Sequence, residues 1–369
     1  MIKKTLGRLG LDGFILCLFG AVFLAWLYPE LGARKGIVSF STLANVGVSA
    51  IFFFYGLRLN WEKIRAGLAN VKMHAVVVAS TFLLFPLLVL GAMFATGNAP
   101  TRAETAALET KAEQNDDGLT SASATGSPEN QKRGLDKTTA TGIWLGIFFL
   151  ASLPSTVSSS VVMTNIARGN VPAAIFDASI SSLLGVFITP LWMRLFIDSS
   201  SGGRGLGSVL LSLTIQVIVP ITLGILANRR FGEFSRRHDK GLRKCDQGSI
   251  VLIVYVSFCS SFKENMFGGL DFWTLFRLIC GMVALFFVVY GIVGLVCRLL
   301  RFNREDTIAT LFCGSKKSLV HGAAMSRVLL ESPNMAGMLI LPTMIYHAMQ
   351  LIVVSVIAQR FARNAEADR

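Results

Sequence analysis

Charge is what this sequence has least of. Only 15% of its 369 residues are Asp, Glu, Lys or Arg, against 53% hydrophobic ones, and the mean hydropathy is +0.58. Soluble domains carry roughly a quarter of charged residues, so an aqueous surface is excluded for most of the chain and a bilayer is the solvent that remains. Acidic residues are the scarcer kind, 22 against 35 basic ones, for a formal charge of +13. That excess does not read as nucleic-acid binding, which gathers basic residues on one solvated face; here they fall between apolar runs. Cysteines number only six, four inside apolar runs (Cys17, Cys259, Cys280, Cys313) and two at basic ends (Cys245, Cys297), and no spacing resembles a metal site or a disulfide framework. The opening stretch "MIKKTLGRLGLDGFILCLFGAVFLAWLYPE" lacks a small-residue cleavage site and its apolar run is too long for a secretory signal, so it reads as a first membrane helix.

What is there in abundance is long apolar runs. Crossing about 30 Å of hydrocarbon takes roughly 20 residues of helix. Candidate spans fall near 12–32, 37–57, 71–96, 140–166, 170–197, 206–228, 247–265, 271–298, 306–331 and 335–360. Runs of this length exclude barrel strands, so the fold class is an all-α polytopic membrane protein of ten transmembrane helices. With the N-terminus inside, the short cytoplasmic segments hold 21 Lys and Arg and the short outer ones six, which predicts both termini in the cytoplasm and an integral plasma-membrane location, the inner membrane if the source is bacterial. Residues 98–139 break the pattern: polar and rich in Ala, Thr, Ser, Glu and Asp, they read as a disordered external loop or a binding arm.

Spans four and nine are each interrupted by small polar residues, "LPSTVSSS" at 153–160 and "CGSKKS" at 313–318, and they lie five spans apart. An odd number of spans per half makes the halves run in opposite directions, and interrupted helices in matching positions point to a transporter's midplane site. Pro154 lacks a backbone donor and disfavours helix at Leu153, so the helix breaks there. Ser155, Thr156, Ser158, Ser159 and Ser160, with Thr164 a turn further on, offer hydroxyls either to the freed backbone or to a ligand. Asp177 inside an apolar helix needs a basic partner or direct contact with an ion or solute. Lys316 and Lys317 on a regular helix point about 100° apart, so one snorkels or pairs with Asp177 or a helix end while the other sits in the cavity beside Ser315, Ser318 and His321. His321, four residues after Lys317, shares its helical face and reads either as an interface histidine or as a proton relay.

At "FFFYGLRL" (52–59), "LPSTVSSSVVMTNIARGN" (153–170), "GSKKSLVHG" (314–322) and "LPTMIYHAMQ" (341–350) the chain resembles the bile acid:sodium symporter family, most closely its widespread branch of unassigned substrate, which includes members tied to calcium homeostasis. The resemblance covers nearly the whole chain outside 98–139. It implies two inverted five-helix repeats with two broken, crossing helices. It also implies a panel domain from 1–66 (spans 1 and 2) and 201–266 (spans 6 and 7), and a core domain from 67–200 (spans 3 to 5) and 267–369 (spans 8 to 10 and a cytoplasmic tail). The sodium-ligand positions implied by the resemblance fall on Ser160, Val161, Ala174, Ala178, Ser315 and Leu319, which have lost the family's carboxylate. A hard cation wants several oxygens and preferably an anionic one.

The expectation is a secondary-active transporter of a small organic, anionic solute working by alternating access. Its substrate or ion-binding residues are Ser158, Ser159, Ser160, Thr164, Asp177, Ser315, Lys316, Lys317, Ser318 and His321. A lysine in place of the coupling cation implies binding that needs neither sodium nor a proton taken up with the solute. No cofactor or metal is expected, no nucleic-acid partner, and no enzymatic activity: a hydrolase built on Ser318 and a lysine base lacks any oxyanion-hole motif. The alternative is a non-transporting membrane regulator of ion (calcium) homeostasis on the same fold.

Overall fold

The computed structural model describes residues 13–33, 40–58, 70–114, 128–197, 211, 214–263, 267, 270–329 and 335–367, and among them every regular element is helical and no strand occurs. The chain opens with α1 (Gly13–Leu27), the short α2 (Pro29–Ala33) and α3 (Phe40–Leu57). Next come α4 (Val71–Ala95), with a π turn at Ser80–Leu84, and α5 (Arg102–Gln114). The first interrupted span is α6 (Pro128–Ser152) and α7 (Val157–Ile166), followed by α8 (Val171–Met193). A π turn at Thr214–Ile218 leads into α9 (Val219–Arg237), then α10 (Asp239–Lys263) and α11 (Phe272–Leu299). The second interrupted span is α12 (Arg304–Gly314) and α13 (Leu319–Leu329), and α14 (Ala336–Ala367) ends the chain.

Five of these helices, α4, α8, α10, α11 and α14, are long and apolar enough to cross a membrane unbroken. Apolar side chains also point outward, Phe272, Trp273 and Leu295 on α11 and Leu223 and Leu226 on α9 among them. This inversion of the aqueous pattern suits a lipid surround. Helices attract each other weakly in lipid, so close packing relies on small residues. Gly56 on α3 and Gly224 on α9 show this: a Cβ on the first would strike the Ile221 carbonyl and on the second the Phe53 carbonyl.

Two groups of helices emerge from the packing. The α3 helix packs along α9, and α10 packs on α1, α2 and α3. The other group joins α6 to α14 and α4, α8 to α7 and α12, and α11 to α12 and α14. Between the groups, α10 reaches α13 and α14.

The reading of 98–139 as a loop without structure is corrected for 102–114 and 128–139, which are helical; residues 115–127 lie outside the described set. "RAETAALETKAEQ" is made largely of strong helix formers. Its start is held by a capping box, in which Glu104 N donates to Thr101 Oγ1 (3.2 Å) and Thr101 N to Glu104 Oε2 (3.0 Å). Low hydropathy excluded a membrane span here, but it did not exclude a helix.

Candidate functional site

Both interruptions fall where the small polar residues stand, at 153–156 and 315–318, and they touch: Ser318 N donates to Pro154 O at 2.9 Å. The ring of Pro154 fits only because Gly185 on α8 has no Cβ, which would lie 2.6 Å from it.

A broken helix strands its last carbonyls, and burial requires each to find a donor. At the end of α6, Leu150 O accepts from Leu153 N and Ser152 O from Thr189 Oγ1. Ala151 O (2.7 Å) and Leu153 O (2.8 Å) both accept from Lys317 Nζ. A third acceptor, Thr81 O at 2.7 Å, comes from the π turn of α4. It is free because Pro86 has no N–H to continue the π pattern set by Phe85 N to Ser80 O. Three acceptors match the three donors of an ammonium, where a neutral amine has two. Lys317 is therefore a cap on the negative end of a half-helix, and Phe85 lies under it with its ring centroid 4.1 Å from Nζ. The backbone of Lys317 is held as firmly, its N–H donating to Gln350 Oε1 (2.9 Å) and its carbonyl accepting from Gln350 Nε2 (2.8 Å).

Lys316 turns the other way, since both lysines lie in non-helical chain rather than on a helix. The shared helical face expected for Lys317 and His321 is accordingly absent: the helix starts at Leu319. Lys316 is fully buried, and Nζ donates to Ser159 Oγ at 3.3 Å. Ser159 belongs to the first turn of α7, whose N-cap residue Thr156 makes no side-chain cap bond. At α13 the situation differs, because Ser318 Oγ accepts from His321 N (3.4 Å) and lies 3.0 Å from His321 Nδ1. One half-helix start is thus closed by its own serine, while the other offers backbone N–H groups beside the buried Lys316 Nζ.

The remaining expected residues divide clearly. Ser160 Oγ donates to Phe312 O (3.2 Å) and Ser315 Oγ to Leu311 O (2.6 Å), while Tyr346 OH donates to Ser315 O (2.7 Å). Thr164 Oγ1 is buried without a hydrogen-bond partner among the described residues. The Ser158 side chain lies outside the described set. Asp177 pairs with neither lysine: His74 Nδ1 on α4 lies 2.7 Å from its Oδ1, and its Oδ2 has no partner among the described residues. His321 Nε2 has no hydrogen-bond partner among the described residues, and the Phe52 and Tyr55 rings of α3 meet the imidazole edge-on.

Sequence reasoning missed His74, Gln350 and a cluster at one end of the site. Asn70, Asn170 and Asn303 cap α4, α8 and α12 through their side-chain oxygens. All three turn their amide nitrogens onto Asp306, at 2.7, 2.7 and 3.0 Å. Each asparagine stands before a helical run, which is a visible cap signal; their convergence on one carboxylate is tertiary and has no local signature.

A family model described as the SBF-like CPA transporter family matches residues 12–363. An uncharacterized protein of Pseudomonas aeruginosa is 34% identical over 355 residues, covering 96% of this chain and 94% of its own length. The Escherichia coli protein named "Putative symporter YfeH" is 32% identical over 356 residues, 96% of this chain and 94% of that protein. Sodium/bile acid cotransporter 7 of Xenopus tropicalis is 26% identical over 360 residues, 95% and 92% of the two chains.

Proposed function

Because the chain belongs to the SBF-like CPA transporter family, we propose that it moves a small organic anion across the membrane by alternating access, with Lys316 supplying the positive charge that a bound cation supplies elsewhere. Membrane transport is the family's business, and the relatives' names include a symporter and sodium/bile acid cotransporters. The observation that carries the anionic substrate is the buried Lys316 side chain, its Nζ set against the uncapped first turn of α7. A fixed cation and a half-helix N-terminus both favour carboxylate or phosphate.

Sodium independence draws support from the same place. Of the six positions that the resemblance gives as sodium ligands, Val161, Ala174, Ala178 and Leu319 offer no side-chain oxygen and none carries a carboxylate, so two neutral hydroxyls, Ser160 and Ser315, remain where a hard cation wants several oxygens. In this reading a panel of spans 1, 2, 6 and 7, in line with the first packing group, moves against a core of spans 3–5 and 8–10; the two inverted five-helix repeats follow from the family resemblance and the cytoplasmic termini from the excess of Lys and Arg in the short inner segments. The contact of the two breaks at Ser318 and Pro154 fits their crossing in that core.

The test is a thermal-shift screen of carboxylates and phosphates on purified full-length protein, in sodium and in N-methyl-D-glucamine. Stabilisation by an anion in both media, lost in Lys316→Met, supports the reading; stabilisation only in sodium refutes it.

A further inference from the structure

His74 and Asp177 form a titratable pair that anion binding alone does not use. His74 Nδ1 and Asp177 Oδ1 are 2.7 Å apart, Asp177 is 1% exposed and His74 8%. Around them Met73, Val77, Ala173, Ala174, Ala309 and Cys313 make an apolar cluster separate from the main core. The Phe176 ring lies 4.3 Å from the imidazole. A carboxylate with one hydrogen bond and an empty second oxygen is costly in such surroundings. The small occupant that makes Oδ2 neutral is a proton.

The pair also sits where it senses both broken helices. Asp177 is one helical turn before Ser181, whose Oγ accepts from Ser155 N in the first interruption. Cys313, one residue before the last residue of α12, donates to Ala174 O on Asp177's own helix at 3.7 Å. The charged and titratable groups facing Asp177 are His74 from α4, with Asp306 and Cys313 from α12, and Cys313 in turn feels Lys316. From α6 and α7 the described contacts bring none.

We propose that His74 and Asp177 bind one proton together with each anion held at Lys316, so that the transporter is a proton–anion symporter. The argument rests on the reading of Lys316 given above and follows charge. With the site empty, Asp177 is a carboxylate whose Oδ1 is held by the His74 ring nitrogen. An anion arriving at Lys316 brings a second negative charge into the same buried core, and a proton from bulk water moving onto Asp177 Oδ2 offsets it. His74, the more exposed member, is the entry point. This coupling differs from the expectation that no proton accompanies the solute, which rested on Lys316 and Lys317 alone.

Two measurements on full-length protein in lipid test this separately. Infrared difference spectra against pH, with no solute added, show a protonated-carboxyl band that is absent in Asp177→Asn and titrates at a different pH in His74→Phe. A wild-type spectrum identical to that of Asp177→Asn overturns the proton site, and an unchanged titration in His74→Phe overturns the role of the histidine and stands even if Asp177→Asn fails to fold. In proteoliposomes loaded with pyranine, taurocholate, glutamate and inorganic phosphate are offered in turn. Uptake acidifies the lumen in wild type, and Asp177→Asn removes the acidification. Uptake without acidification in wild type overturns the coupling alone, whereas uptake of none of the three overturns the coupling and the anion reading together while the infrared band still decides the proton site.

Discussion

Substituting each lysine by methionine separates two roles that adjacent positions in the sequence do not distinguish. Lys317→Met keeps most of the side-chain volume and strands three buried carbonyls, Thr81 O, Ala151 O and Leu153 O. A buried acceptor left without its donor costs at least about 1 kcal/mol. The bonds lost are charge-assisted, but relief from burying the ammonium offsets part of them, so the net loss is about 3 kcal/mol. With an unfolding entropy of about 2.1 cal/mol/K per residue over 369 residues, that lowers the melting temperature by about 4 °C. Lys316→Met loses one 3.3 Å bond to Ser159 and removes a buried charge, so its melting temperature stays level or rises. The assay is intrinsic-fluorescence melting of both variants in lipid nanodiscs. A larger drop for Lys316→Met than for Lys317→Met refutes the division of labour.

Further outcomes follow from neighbouring contacts. Gln350→Leu leaves the Lys317 N–H and carbonyl unpaired and lowers stability by about 2–3 kcal/mol, read by the same melting assay, with Gln350→Glu intermediate because it keeps the acceptor half. Asp306→Asn removes the carboxylate that three asparagine amides and three helix starts share, and costs about 2–4 kcal/mol, with faster amide exchange at the first turns of α4, α8 and α12. For topology, Ser121→Cys in a cysteine-free background reacts with an impermeant maleimide from outside, and a cysteine at the C-terminus reacts only after permeabilisation. The background is needed because Cys17, Cys245 and Cys280 are exposed. Both labels reacting from one side refutes the inverted arrangement.

The helices and their two breaks were legible because hydropathy and proline act locally: Pro154 cannot continue a helix in any context, and apolar runs of twenty residues have few other fates. The cost of two lysines in an apolar run also marked both as needing a polar partner, with a helix end one of the alternatives. What was not legible was which lysine, because the answer depends on Thr81 O, set free by Pro86 more than two hundred residues away. Asp177 was flagged by its cost in hydrocarbon, yet its partner is His74 rather than a lysine, a pairing made only by the approach of α4 to α8. The helix at 102–114 went unread because composition was weighed for burial, while its capping box was in plain sight.

The central claim is that Lys316 holds the anion in place of sodium. It is tested most directly by solute counterflow in proteoliposomes, with the anion that stabilises the protein most in the thermal-shift screen, in sodium and in N-methyl-D-glucamine, for wild type and Lys316→Met. The account predicts equal exchange by wild type in both media and none by Lys316→Met; a strict sodium requirement in wild type, or undiminished exchange by Lys316→Met, contradicts it.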